Sequence, residues 1–384
     1  MLPCQRHLFD LPPDVIYLNC AYMSPLMKSV LEAGGEGLTL KSHPWELTRD
    51  TFFTGSEDYR STAARLLDCS PDCVAIVPSA SYGMATAARN LPVHKGQRIL
   101  LLDEQFPSNY YTWQRLAAER GAALKVVPWP EDDDWTRAVL DGLTDEVAIA
   151  ALPHVQWTSG GCLDLVRIGQ KCRKIGAGLA LDLTQSLGAL PFSALEVQPD
   201  FVVAACYKWL MGPYTTGLLY VAPRWQNGIP LEENWIQRAN ARDFTSLILY
   251  TPEYESGARR FDMGERSNFA LLPASNRAMQ QILEWSVAEI SETCGIMTRQ
   301  LATAAAAFGF SSPPEKLRAP HYLCLRRKSG IPPDFTNLLA GERIFVSVRG
   351  NSARVTPHVY NSTGDIERLI TCLGRITADQ KVAR

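Results

Sequence analysis

A chain of 384 residues exceeds the usual size of a single hydrophobic core, so two units of unequal size are expected. Apolar residues make up 46% and charged residues 20%, which excludes disordered, collagen-like and coiled-coil classes. A formal net charge of −2 leaves no overall electrostatic footprint for nucleic acid.

The opening run MLPCQRHLFDLPPDVIYLN lacks an apolar stretch followed by a small-residue cleavage site, so no secretory signal is expected. No run approaches the roughly 20 apolar residues of a membrane helix. The expectation is a cytoplasmic protein without a membrane or nucleic-acid partner.

From about residue 70 to 222, short β-rich runs alternate with helix-like segments. The runs are CVAIVPS at 73, RILLLD at 98, ALKVVPW at 123, EVAIAALPHV at 146, GLALDL at 178, FVVAAC at 201 and GLLYVA at 217. Between them, segments such as NYYTWQRLAAERG and LDLVRIGQKCRKIG repeat apolar residues at intervals of three and four. This alternation predicts an α/β fold with a mostly parallel sheet covered on both faces, which is why several runs are apolar throughout.

Beyond Pro223 a polar, aromatic-containing stretch reads as irregular and surface-lying, and an amphipathic helix is predicted from about Pro273 to Glu292. The strands HYLCLRRK, RIFVSVRG and SARVTPHVY and a helix at DIERLITCLGRI predict a small α/β unit. Ser362 and Thr363 can cap that helix, with Asp365 in its first turn. The expected division is an N-terminal segment 1–20, a large unit 21–255 and a small unit 256–384.

Ten cysteines are spread along the chain, and the close pairs Cys69 with Cys73 and Cys162 with Cys172 lack a second pair at zinc-ligand spacing. No metal site is expected. Most cysteines read as small buried hydrophobes.

In an open parallel sheet, ligands bind beyond the carboxyl ends of the strands. Asp182 follows GLAL, where a carboxylate can pair with a protonated ring nitrogen or, alternatively, cap the next helix. Lys208 follows FVVAACY, a position where burial lowers the pKa of an amine that must form an imine. A lysine there can also snorkel to solvent. Ser79, Ser81 and Gly83 stand at a strand-to-helix junction that can hold a phosphate, a role compatible with simple N-capping.

The run DLTQSLG followed by CYKWLMGPYTTGLLYV resembles the class V aminotransferase family of fold-type I pyridoxal 5'-phosphate (PLP) enzymes, a group containing kynureninases, cysteine desulfurases and isopenicillin N epimerase-like proteins. YLNCAYMSPL, SASYGMATAARNL, ALPHVQWTSGG and SARVTPHVYNSTGDIERL resemble further segments of that family, in its order. The resemblance implies a large domain with a mostly parallel seven-stranded sheet and a small C-terminal α/β domain. It implies PLP as cofactor, Lys208 as the Schiff-base lysine and mover of the α-proton, and Asp182 as partner of the pyridine nitrogen. Gln185 would contact the ring hydroxyl, Phe106 stack on the ring, Ala80, Ser81 and Tyr207 hold the phosphate, and His154 line the ring edge. Arg354, with Asn19 and Tyr22 from the N-terminal motif, would bind the amino-acid substrate, and Arg349 is a second candidate for its carboxylate.

The resemblance also implies a homodimer with active sites near the subunit interface. Where the family has Gly-Thr-Pro reaching the partner's phosphate, this chain has Gly264, Glu265 and Arg266. Arg266 offers a positive charge there, with Asn268 nearby. Cys324 falls in a predicted strand and Cys372 in a predicted helix, neither in a loop suited to accepting sulfur. Transamination or lyase chemistry such as β-elimination is therefore expected rather than a persulfide relay. Epimerisation or kynureninase-like hydrolysis is the alternative, and a non-catalytic binding or regulatory protein the alternative of another class. A nicotinamide dehydrogenase requires a Gly-x-Gly-x-x-Gly turn that this chain lacks.

Overall fold

A computed structural model describes residues 1–382, so the last two residues of the expected unit 256–384 lie outside the described residues. In chain order the first half contains β1 (Ile16–Tyr17), α1 (Lys28–Ser42), α2 (Thr54–Leu67), β2 (Val74–Val77), α3 (Ala80–Asn90), β3 (Arg98–Leu102), α4 (Ser108–Arg120), β4 (Ala123–Val127), α5 (Trp135–Gly142) and β5 (Val147–Pro153). There follow α6 (Leu165–Ile175), β6 (Gly178–Asp182), α7 (Ala194–Val197), β7 (Phe201–Ala205), β8 (Gly217–Val221), α8 (Leu271–Trp285) and α9 (Val287–Ala306). The chain closes with β9 (Phe310–Ser311), β10 (Leu323–Arg327), α10 (Phe335–Gly341), β11 (Ile344–Phe345), β12 (Ser347–Arg349), β13 (Ser352–Val355) and α11 (Thr363–Val382).

All seven predicted β-rich runs enter one sheet of order β2-β8-β7-β6-β5-β3-β4. The pairs β7/β6, β6/β5, β5/β3 and β3/β4 are parallel, and β8 runs antiparallel to both its neighbours. Every residue of β7 and β8 is buried, as expected for strands covered on both faces. Helix α3 lies close enough on β7 that a Cβ at Gly83 would come within 2.6 Å of Val203 Cγ2, so the glycine permits the approach. The crossover helix α6 begins with Asp164 accepting from Arg167 N and ends at Gly176 with φ 74°.

The predicted helix 273–292 is instead two helices. Ser286 takes φ 66° between α8 and α9, letting α8 pack on α1 and α2 while α9 packs on α11 and β10. The run RIFVSVRG also divides: β11 pairs in parallel with β1, and β12 pairs antiparallel with β13. The four-stranded sheet β12-β13-β10-β9 forms a second layer. Residues 1–20 are tied to this part, through Gln5 N to Val359 O at 2.7 Å and Ile16 N to Arg343 O at 2.9 Å. The stretch after Pro223 is irregular as predicted, with four short 3-10 segments before α8, and it exposes Ile248, Leu249 and Tyr250. No described helix is long and apolar enough to cross a membrane.

Candidate active site

The carboxyl ends of β2, β3, β5, β6 and β7 open on one side of the sheet, and their following residues line a cavity of about 370 Å³. A second lobe of about 390 Å³ adjoins it, sharing Phe106, Trp157, Tyr207, Lys208 and Tyr214. These volumes suit a small organic molecule and a substrate beside it.

Lys208 sits at the junction, 5% exposed, with Nζ 5.3 Å from the Phe106 ring centroid and 5.4 Å from that of Tyr207. Burial lowers its pKa to about 8; the Asp182 carboxylate works against that shift, and Arg354 and Arg349 add to it. Asp182 ends β6, is 8% exposed, and its Oδ1 accepts from Thr184 N at 2.9 Å. Burial raises its pKa, and the bonds from Thr184 and the charge of Lys208 oppose the rise. A buried carboxylate and a buried amine thus face the same space.

At the opposite wall β2 gives way to α3. Ser79 is the N-cap, accepting from Tyr82 N at 3.2 Å, and its Oγ lies 2.9 Å from Ser81 Oγ. With Ala80, these residues turn the helix N-terminus toward the cavity, giving donors and partial positive charge suited to a phosphate. Gln185 is held by Trp209, whose Nε1 donates to Oε1 at 3.0 Å, and by Ala21, whose carbonyl accepts from Nε2 at 3.2 Å. Tyr207 packs on Tyr214 at 4.6 Å between ring centroids, and burial pushes its phenol up to about 12.

In the second lobe Arg354 is 2% exposed and donates to Ser347 Oγ and Tyr322 OH. Tyr22 lines the same lobe, about half exposed. Asn19 lines neither lobe; it bridges to Thr356, and its Oδ1 is buried without a partner among the described residues. The structure does not bring Asn19, expected to contact the substrate, to the lining of either lobe.

His154, just past the end of β5, does not line the cavity, although Pro153 and Val155 on either side of it do; its ring lies 6.3 Å from Phe192. Burial lowers its pKa to about 3. Arg266 is not available to a partner's phosphate: fully buried, it pairs with Asp262, which Arg60 also binds and which accepts from Ile76 N at 2.8 Å. Asn268 lines a separate groove near Phe52 and Trp235.

Sequence reasoning missed Trp157. Its Nε1 donates to Glu104 O at 2.6 Å, Thr158 Oγ1 donates to Glu104 Oε2 at 2.7 Å, and its ring meets the Phe106 edge at 5.4 Å. The loops after β3 and β5 are therefore clasped together, fixing Phe106 over the cavity. Glu104 takes φ 50° to make the clasp. An aromatic residue just past a strand end was the available signal.

The donor set fits pyridoxal phosphate: a buried acid for a pyridine nitrogen, an amine near neutrality for an aldehyde, an aromatic face and a helix N-terminus with hydroxyls.

The sequence model described as Aminotransferase class-V matches residues 16–367. The chain is 24% identical over 317 residues to the uncharacterized aminotransferase YcbU of Bacillus subtilis, covering 82% of each. A kynureninase of Bacillus cereus is 27% identical over 251 residues, 61% of this chain and 55% of that protein, so the chain spans about half the length of that relative. Among solved structures, the cysteine desulfurase CsdA of Escherichia coli superposes with a TM-score of 0.84 at 18% identity over 98% of both chains. The cystine C-S lyase C-DES, solved with its product cysteine persulfide, superposes at 0.82 and 19% identity over 94% of this chain and 97% of that one. At such identities the likeness is one of fold. The match over residues 16–367 and the seven-stranded sheet place the chain in the aminotransferase class-V family of pyridoxal 5'-phosphate enzymes.

Proposed function

We propose that the chain is an enzyme that transforms an amino acid at its α-carbon, by transamination or by a lyase reaction, with Lys208 as the residue that carries the cofactor and moves the proton. The observation that carries this reading is the burial of Lys208 and Asp182 on one cavity, with the amine at about 8. When bound, pyridoxal phosphate supplies an aldehyde for an amine and a ring that withdraws electrons from the α-carbon.

In this reading Asp182 pairs with the ring nitrogen, Phe106 covers the ring face, and Ser79, Ala80, Ser81 and Tyr207 hold the phosphate. The Gln185 amide nitrogen has two donors and gives one to Ala21, leaving one for a ring hydroxyl. The Lys208 amine, buried and poised at about 8, would take the α-proton and return it. Arg354 binds the substrate carboxylate, because its planar fork matches two carboxylate oxygens. Epimerisation and kynureninase-like hydrolysis differ from these branches in where the proton or leaving group goes, and use the same residues.

The reading runs without a persulfide relay. Among the described residues no thiol lines either lobe, and Cys324 is buried, with its pKa raised to about 12 by desolvation. We also propose a homodimer, supported by the exposed apolar side chains Trp45, Ile248, Leu249 and Tyr250. The test is exchange of amino-acid α-protons with solvent deuterium, read by mass spectrometry, in the loaded protein and in Lys208→Ala. Exchange confined to the unsubstituted protein supports the reading; no exchange with any of the common amino acids overturns it in favour of a non-catalytic binding protein.

A further inference from the structure

The second lobe holds more positive charge than the chain neutralises. Strands β12 and β13 form a hairpin whose register sets Ser347 opposite Arg354 and Arg349 opposite Ser352. Side chains alternate along each strand, so Arg349 and Arg354 share one face as diagonal neighbours. Both line the lobe beside Lys208. Arg354 has only neutral acceptors: Ser347 Oγ, at 3.0 Å from Nε and 2.8 Å from Nη2, and Tyr322 OH at 3.2 Å from Nη1. Arg349 donates to the Val348 carbonyl at 2.8 Å.

Among the described residues neither guanidinium has a carboxylate partner, whereas the equally buried Arg60 and Arg266 share Asp262. Asp182 is the one carboxylate on either lobe among the described residues, and it lines the first. Two neighbouring cations without a counter-ion repel each other, and a buried one keeps most of its desolvation cost. A ligand bearing two negative groups relieves both.

We propose that the substrate is an amino acid whose side chain ends in a second carboxylate, with Arg354 binding the α-carboxylate and Arg349 the distal one. The proposal rests on the reading of the Lys208 cavity as an amino-acid site. It makes Arg349 the residue that selects the side chain, because it lines the lobe wall partly exposed and has only a neutral backbone acceptor, the Val348 carbonyl, to give up on meeting the far end of a ligand already held at Arg354.

The test uses the cofactor-loaded protein and two unreactive probes, glutarate and its monoamide, titrated by calorimetry against the unsubstituted protein, Arg349→Gln and Arg349→Lys. Glutarate is expected to bind at least about tenfold more tightly than the monoamide, the scale of one charge-assisted contact. Arg349→Gln should remove that ratio while leaving the monoamide within about twofold, and Arg349→Lys should restore part of it. Equal binding of both probes to the unsubstituted protein overturns the proposal. So does an equal weakening of both by Arg349→Gln, which would put the two arginines on the same carboxylate. A parallel absorbance titration with L-glutamate and L-glutamine separates the underlying reading. A cofactor band unmoved by these two and by every other common amino acid sinks the amino-acid site itself, and a band moved equally by L-glutamate and L-glutamine at equal concentrations sinks only the second carboxylate.

Discussion

The Asp182 carboxylate holds the Lys208 amine in its charged form against burial, and burial wins: the amine falls from 10.5 to about 8. Asp182 ends β6, and Lys208 lies in the turn just past the adjacent parallel strand β7, so the sheet brings the two to one edge and sets this balance.

One consequence concerns stability and pH. The unfolded chain keeps Lys208 protonated up to about its ordinary pKa, while the folded chain releases the proton near 8. Between these values the unfolded state binds more protons, so the contribution of Lys208 to stability rises with pH across that window. Below about 8 its cost is fully present, on the order of 3 kcal/mol. Lys208→Met should therefore stabilise the cofactor-free protein at pH 7 and lose that advantage at pH 10.5, measured by urea unfolding at both values. A pH-independent difference would contradict the assignment.

Replacing Asp182 by Asn should have two effects. Without the carboxylate, the midpoint of Lys208 should drop below about 8, followed by the pH dependence of its modification by a small aldehyde. Turnover should fall by roughly 100-fold, the scale of losing one charge-assisted contact of ~3 kcal/mol. Circular dichroism should remain unchanged, because the Thr184 N–H that Asp182 satisfies can bond to the Asn carbonyl oxygen.

Phe106→Ala should weaken cofactor binding about tenfold, since a stacked ring contributes ~0.5–1.5 kcal/mol beyond its buried area. Trp157→Phe removes the donor to Glu104 O while keeping a ring against Phe106, and should loosen the cofactor by a smaller factor. Dissociation constants from fluorescence quenching check both. Equal affinity in Phe106→Ala would remove Phe106 from the cofactor contact.

Arg266 behaves in this structure as a core ion rather than a ligand-binding one. Asp262→Ala would leave Arg60 and Arg266 buried without their shared counter-ion and should cost roughly 3–5 kcal/mol. Thermal unfolding should show a large loss of stability, and cofactor affinity per folded molecule should be unaffected. A variant of unchanged stability but lower phosphate affinity would reverse this reading.

The strand-end residues were legible in the chain. Asp182 and Lys208 each follow an apolar run, and apolar runs of that length between helical periods mark buried parallel strands. Ser79 and Ser81 were legible because a strand followed at once by small hydroxyl residues and a helical period places a helix N-terminus. The break at Ser286 was not legible: neither Gly nor Pro marks it, and what sets it is the need of α8 and α9 to pack on different partners. Trp157 and Glu104 were missed because their contact joins loops about 50 residues apart.

By itself the sequence determined the α/β architecture and, between residues 70 and 222, the alternation of strands and helices and the residues near each strand end, since these follow from local periodicity and turn chemistry. Only the tertiary structure decided which of them share a cavity. Packing against Phe192 left His154 off the cavity lining, a shared counter-ion withdrew Arg266 into the core, and hairpin register set Arg349 beside Arg354. Such outcomes depend on distances between segments remote in the chain, where burial and charge, rather than local spacing, fix what each side chain can do.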